Sequence, residues 1–219
     1  MNTYLDVGLT GGIACGKSLV LSIFKALGCS VLDADKIYHG LIEHGKPLYK
    51  KLVREFGEGI LNEEKDIDRS ALGKVVFNDD EKRRKLNQIT HPAVIKEQRK
   101  LKKQIRKKLK AQKVEEALII TDAALMIEAG TYKNYDKVIV VASSPEVQIQ
   151  RLVARENVTE EEAKRRIDSQ MSVEKKTEFA DFVIDNNGTS EELIRNVEVV
   201  HAAIFESLHE EDYITSDRL

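Results

Sequence analysis

The densest chemistry in this chain lies in eight consecutive residues, Gly11-Gly12-Ile13-Ala14-Cys15-Gly16-Lys17-Ser18. Their spacing is G-x-x-x-x-G-K-S, in which a glycine-rich loop turns backbone N–H groups inward around a polyphosphate. A helix opening near Lys17 points its positive end at the same anion. Lys17 reaches the β and γ phosphates, and Ser18 offers its hydroxyl to Mg2+. An apolar run, "YLDVGLT" (4–10), precedes the loop and an amphipathic one, "KSLVLSIFKALG" (17–28), follows it. That strand–loop–helix setting is the context the motif requires, so all eight residues are expected to hold a nucleoside triphosphate.

Such a loop does not name the acceptor, because GTPases, motor ATPases and small-molecule kinases share it. The N-K-x-D motif that reads guanine in GTP switches is absent from the sequence. Asp33 and Asp35 end a second short run, "SVLDAD" (30–35), read as a strand. Ligands gather at the carboxyl ends of parallel strands, so either carboxylate is a candidate to orient and deprotonate an attacking hydroxyl. The structural alternative is that Asp33 ends the strand and Asp35 caps the next helix.

The elements that must position these groups are legible in the same pass. Strand character returns in "ALIITD" (117–122), "KVIVVAS" (137–143) and "DFVIDNNG" (181–188). These runs are nearly continuous in apolar residues, as in a parallel sheet covered on both faces. Helical patterns fall between them: "PEVQIQRLVAREN" (145–157), "TEEEAKRRIDSQ" (159–170) with Thr159 and Glu162 at capping-box spacing, and a long one over 190–208. A highly charged helical stretch fills about 36–113, with breaks expected at Gly45–Pro47, Gly57–Gly59 and His91-Pro92. The expectation is an α/β fold with a five-stranded parallel sheet flanked by helices.

Composition narrows the classes. The chain has 219 residues, 42% hydrophobic and 33% charged, with a net charge of −2, which fits one globular domain without a global field toward nucleic acid or membrane. Residues 96–113 hold ten Lys or Arg against one acid, leaving the remainder at −11. Leu101, Ile105 and Leu109 give that run a narrow apolar stripe with lysines solvating its other faces, and no aromatic residue supports base stacking. Nucleic acid is therefore not expected as a partner. No apolar run reaches membrane-spanning length and no secretory signal stands at the N-terminus, so the expectation is a cytoplasmic protein. Cys15 and Cys29 show no metal or redox spacing, and a helix dipole at the loop is expected to lower the Cys15 thiol.

With these residues in hand, the chain resembles the dephospho-CoA kinases from about residue 7 to residue 195. The resemblance rests on "GLTGGIACGKS", "LGCSVLDADKI", "IDRSALGKVVF" (67–77), "LNQITHPAVI" (86–95), "LMIEAG" (125–130), the spaced "QRLVAR" and "RRIDSQ", and "ADFVIDNNG" (180–188). It implies a P-loop NTPase fold with a helical substrate-binding region and a lid. Its core would cover about 1–35, 114–144 and 179–209, its insertion about 36–113 and its lid about 145–178. The implied reaction moves the γ-phosphoryl group of ATP, with Mg2+, to the ribose 3′-hydroxyl of dephospho-CoA.

The resemblance also assigns roles. Asp35 falls on the family's catalytic base, and Asp33 would help position magnesium or the acceptor. His91 lies on the substrate side. Arg151 and Arg155 would close over the phosphates, which suits a planar guanidinium. Asn186 and Gly188 sit where related kinases hold adenine, Asp122 where an acid holds Mg2+ through water, and Glu128 near the acceptor. Two departures stand out. The family's G-G-I-G-S-G-K carries Ala14 and Cys15 here, and its P-L-L after the third strand reads Ala124-Leu125-Met126. Open alternatives are a kinase of another nucleotide-like molecule, or a non-enzymatic nucleotide-binding regulator. The chain is expected to act as a monomer or weak homo-oligomer.

Overall fold

β-Branched and aliphatic residues crowd the short runs that become strands. In the computed structural model, which describes residues 3–77 and 79–216 with side chains through Leu208, five strands form one all-parallel sheet among the described residues. They are β1 (Thr3–Gly11), β2 (Ser30–Asp33), β3 (Glu116–Asp122), β4 (Lys137–Ala142) and β5 (Phe182–Asp185), in the order β2-β3-β1-β4-β5. β1 is central, with Leu9 paired to Asp122 of β3 and Gly11 paired to Val141 of β4. Strand order reverses about β1, so the loop leaving β1 lies at the kind of switch point where parallel sheets bind ligands.

The chain divides into two compact units. The first comprises Met1–Leu32 and Val114–Leu219, the second Asp33–Lys113. In the first, α1 (Lys17–Ala26) and α9 (Ser190–Ser216) pack together, and Val7, Leu9, Phe24, Leu118, Ile120, Ile139, Ile184 and Val197 build the core. Phe24 is wholly buried, and burying a side chain of that size contributes about 1.5–3 kcal/mol. A separate cluster around Met126, Ile127, Val138 and Val140 involves the loop after β3. The unit also carries α6 (Pro145–Glu156), α7 (Glu160–Asp168) and α8 (Val173–Thr177). Ser144 caps α6 and Thr159 caps α7, each accepting from the backbone three residues on. The Glu162 carboxylate meets Arg165 and Arg166, so only the Thr159 half of the expected capping box forms.

The second unit is α2 (Ala34–Leu41), α3 (Pro47–Phe56), α4 (Arg69–Phe77) and α5 (Asp80–Ala111), around Ile42, Leu48, Leu52, Ile60 and Leu72. Three expectations change here. β2 stops at Asp33, whose carboxylate accepts from Lys36 N at 2.9 Å and caps α2. A short acidic side chain competes for exactly those amides, so Asp35 sits in the first turn of a helix and ends no strand. Nor does His91-Pro92 break the chain. α5 runs straight through, losing one internal hydrogen bond while Leu86, Ile89 and Ala93 pack both sides of the proline into the same cluster. In the basic run, Leu101, Ile105 and Leu109 are half-buried, but Lys102 is buried, its long apolar stem covered like a core side chain.

Candidate active site

Parallel pairing brings the carboxyl ends of β1, β3, β4 and β5 to one edge, and the residues just past them meet there. The loop after β1 turns on two left-handed residues, Ala14 (φ 59°) and Gly16 (φ 84°). Gly16 is the N-cap of α1, so the first amides of that helix, which have no intrahelical acceptor, open toward the loop. Ala14 takes the left-handed turn at the position where the sequence departs from a glycine, which costs an L-residue about 1 kcal/mol.

Two buried side-chain amides brace this loop. Gln148 of α6 donates Nε2 to the Ile13 carbonyl at 2.7 Å, and Asn186, just past β5, donates Nδ2 to the Cys15 carbonyl at 2.8 Å. A Cβ on Gly12 would lie 2.5 Å from the Gln148 amide nitrogen, and one on Gly16 would overlap that of Asn186. Sequence reading missed Gln148. Its signal was faint: a polar residue four before Leu152, on the buried side of α6. Asn186, assigned to the adenine side, is 6% exposed with its amide nitrogen committed to the loop. Gly188 is exposed and lies against the Glu192 side chain, which accepts from Thr189 N at the start of α9.

Arg151 arrives from α6 one turn after Gln148. Its guanidinium donates to Ser143 Oγ at 3.1 Å and reaches within 4.0 Å of where a Gly16 Cβ would stand. Ser143 Oγ donates in turn to the Asn186 carbonyl at 2.8 Å. Arg155, by contrast, is exposed and bonds Glu156 at 2.6 Å. Cys15 corrects an expectation: its thiol is wholly buried, and that burial pushes it up. Contacts with Gly12 and Ser143 and the charge of Lys17 lower it, but by less than the lost hydration raises it. Burial alone pushes Cys29 up to about 12.

The loop after β3 is pinned without the proline that the resemblance would place there. The Ala124 carbonyl accepts from Thr10 Oγ1 at 3.0 Å and from Lys176 Nζ at 2.9 Å. Lys176 is fully buried, and its ammonium also pairs with the Glu128 carboxylate at 2.9 Å. Glu128, expected on the acceptor side, thus has its charge answered within the fold. Asp122 ends β3 level with Leu9, two residues before Gly11, and Ser18 is exposed in the first turn of α1. A hydroxyl and a carboxylate are hard oxygen donors of the kind Mg2+ takes, alongside waters and phosphates, so this donor set fits the ion.

In the second unit, Asp35 is exposed at the start of α2, and the Asp33 carboxylate caps that helix and pairs with Lys36 at 3.3 Å. His91 lies half-buried on α5, and burial holds its imidazole below the usual histidine value.

Comparisons with known proteins converge on one description. The family model for dephospho-CoA kinase matches residues 5–192. A dephospho-CoA kinase of Aquifex aeolicus is 47% identical over 195 residues, covering 89% of this chain and 95% of that protein. One from Bacillus cereus is 45% identical over 184 residues, covering 84% and 88%. Among solved structures, dephospho-CoA kinase from Campylobacter jejuni superposes with a TM-score of 0.64 at 32% identity, over 94% of this chain and 99% of that one. A protein of Thermus thermophilus gives 0.75 at 29% identity, over 92% and 98%.

Proposed function

This chain belongs to the dephospho-CoA kinase family, and from that premise we propose how its residues share the work. The reaction is ATP-dependent transfer of a phosphoryl group to the ribose 3′-hydroxyl of dephospho-CoA, the last step of coenzyme A synthesis. Gly11 through Gly16 cradle the triphosphate with backbone amides, and Lys17 neutralises its β and γ phosphates. The observation that carries this reading is the loop itself: two left-handed turns, the open end of α1 behind them, and the Arg151 guanidinium beside Gly16.

Arg151 stabilises the charge that spreads over the transferring group, and Arg155, on the same helix face, joins it by exchanging its surface partner Glu156 for phosphate oxygens. Ser18 and Asp122 are the residues that would hold Mg2+, which would supply charge neutralisation during phosphoryl transfer. Asp35 accepts the proton of the attacking hydroxyl. Its exposure leaves the carboxylate open to substrate. Asp33 holds the first turn of α2, which keeps Asp35 in place. His91 and Glu128 serve the acceptor side, and Asn186 and Gly188 flank the nucleotide. The helical unit binds dephospho-CoA, and 145–178 forms the lid. Two free, buried thiols fit a reducing cytoplasm. Among the described residues no helix is long and apolar enough to cross a membrane.

The test is ADP release from MgATP with and without dephospho-CoA, with the acceptor followed by mass. One added phosphate is expected on dephospho-CoA. Asp35→Asn should lower kcat by about 10²- to 10⁴-fold while ATP still binds. Binding of ATP without acceptor-dependent turnover would remove this substrate. Retention of most of kcat by Asp35→Asn would remove the base.

A further inference from the structure

A phosphate-binding loop must do two opposite things with its peptide groups. Its N–H groups have to face the anion, which turns neighbouring carbonyls away from it and into the protein. Buried carbonyls need donors. Here those donors are the Gln148 and Asn186 side chains, 3% and 6% exposed, which reach Ile13 O at 2.7 Å and Cys15 O at 2.8 Å. They come from separate elements, α6 and the turn after β5, and grip carbonyls on either side of Ala14, the loop's left-handed alanine.

Asn186 is itself fixed at both backbone ends. Its N–H donates to Ala142 O at 2.8 Å, and its carbonyl accepts from Ser143 Oγ. Both braces are neutral amides, so they add no charge to compete with Lys17 or repel a phosphate. They also explain the glycines: a side chain at position 12 or 16 would evict one brace or the other. Gln148 sits three residues before Arg151, so one face of α6 both shapes the loop and carries an arginine beside it.

We propose that Gln148 and Asn186 are positioning residues for the nucleotide's phosphates, holding the Ile13 and Cys15 carbonyls away from the anion so that the loop amides converge on it. This rests on the loop's binding of ATP. Gln148 thereby gains a role, and Asn186 acts on the phosphate end of the nucleotide through the loop.

The test uses Gln148→Leu and Asn186→Leu in the full chain, titrated with ATP and assayed with ADP and adenosine as competitors. For each variant, ATP and ADP should weaken by about tenfold, adenosine by less than about twofold, and the KM for dephospho-CoA should hold. A brace that acts on phosphates must spare a ligand that has none. Equal losses for ADP and adenosine, or a lower melting temperature with unchanged ATP affinity, would overturn the proposal. Should either leucine variant not fold, Gln148→Met, flexible and of similar volume, is judged by the same ratio of losses. Failure of the underlying reading looks different: the unmodified protein itself would not bind ATP.

Discussion

At the scale of single residues, context decides what a side chain can do. Cys15 stands in a motif whose helix dipole would activate a thiol, yet the loop folds that thiol inward, and lost hydration outweighs its contacts with Gly12 and Ser143 and the charge of Lys17. Cys29 is raised further, with no opposing contact. Since thiolate is the reactive form, the folded protein at about pH 8 should react with a thiol-specific disulfide reagent far more slowly than the unfolded chain. Two thiols should titrate in denaturant. Prompt native labelling of Cys15, located by peptide mass, would show that the loop opens and leaves it accessible. Asp33 teaches the same lesson. Its place beside a catalytic candidate suggested ligand chemistry, but its carboxylate is occupied in capping α2.

At the scale of elements, a short helix carries unexpected weight. α8 has only five residues, but it delivers Lys176 to the loop after β3, where one ammonium holds Ala124 O and Glu128 together. A buried charge is costly unless it is paired, so removing one partner costs more than the pair itself is worth. Lys176→Met should destabilise the protein by about 3 kcal/mol, read from the urea midpoint. Adding Glu128→Leu should recover part of that loss, because the stranded carboxylate is gone. Two additive losses would mean that the ion pair contributes nothing as a pair. α5 shows the converse. Pro92 ought to end it, yet hydrophobic contacts on both sides of the proline outweigh one missing hydrogen bond.

At the scale of the whole molecule, each of the two units has its own apolar cluster and each half-buries an imidazole. His91 lies in the helical unit, and His201 packs near Phe24 and Phe205 in the sheet unit. Burial lowers both from 6.5. The unfolded chain therefore takes up protons first as pH falls, so stability is full above 6.5 and declines below it. The melting temperature should drop as pH falls from about 6.5 to 5.5, and His201→Gln should flatten that slope. An unchanged slope would assign the effect to other groups. What the sequence determined by itself was whatever depends on local periodicity and spacing. The apolar runs that became β1 to β5, the phosphate loop between β1 and α1, and the family all follow from neighbours along the chain. Tertiary structure alone decided which side chains meet. Gln148 braces Ile13 across 135 residues and Asn186 braces Cys15 across 171, while Lys176 reaches Ala124 across 52. No local pattern encodes such pairs, because a carbonyl's need for a donor is set only when folding buries it.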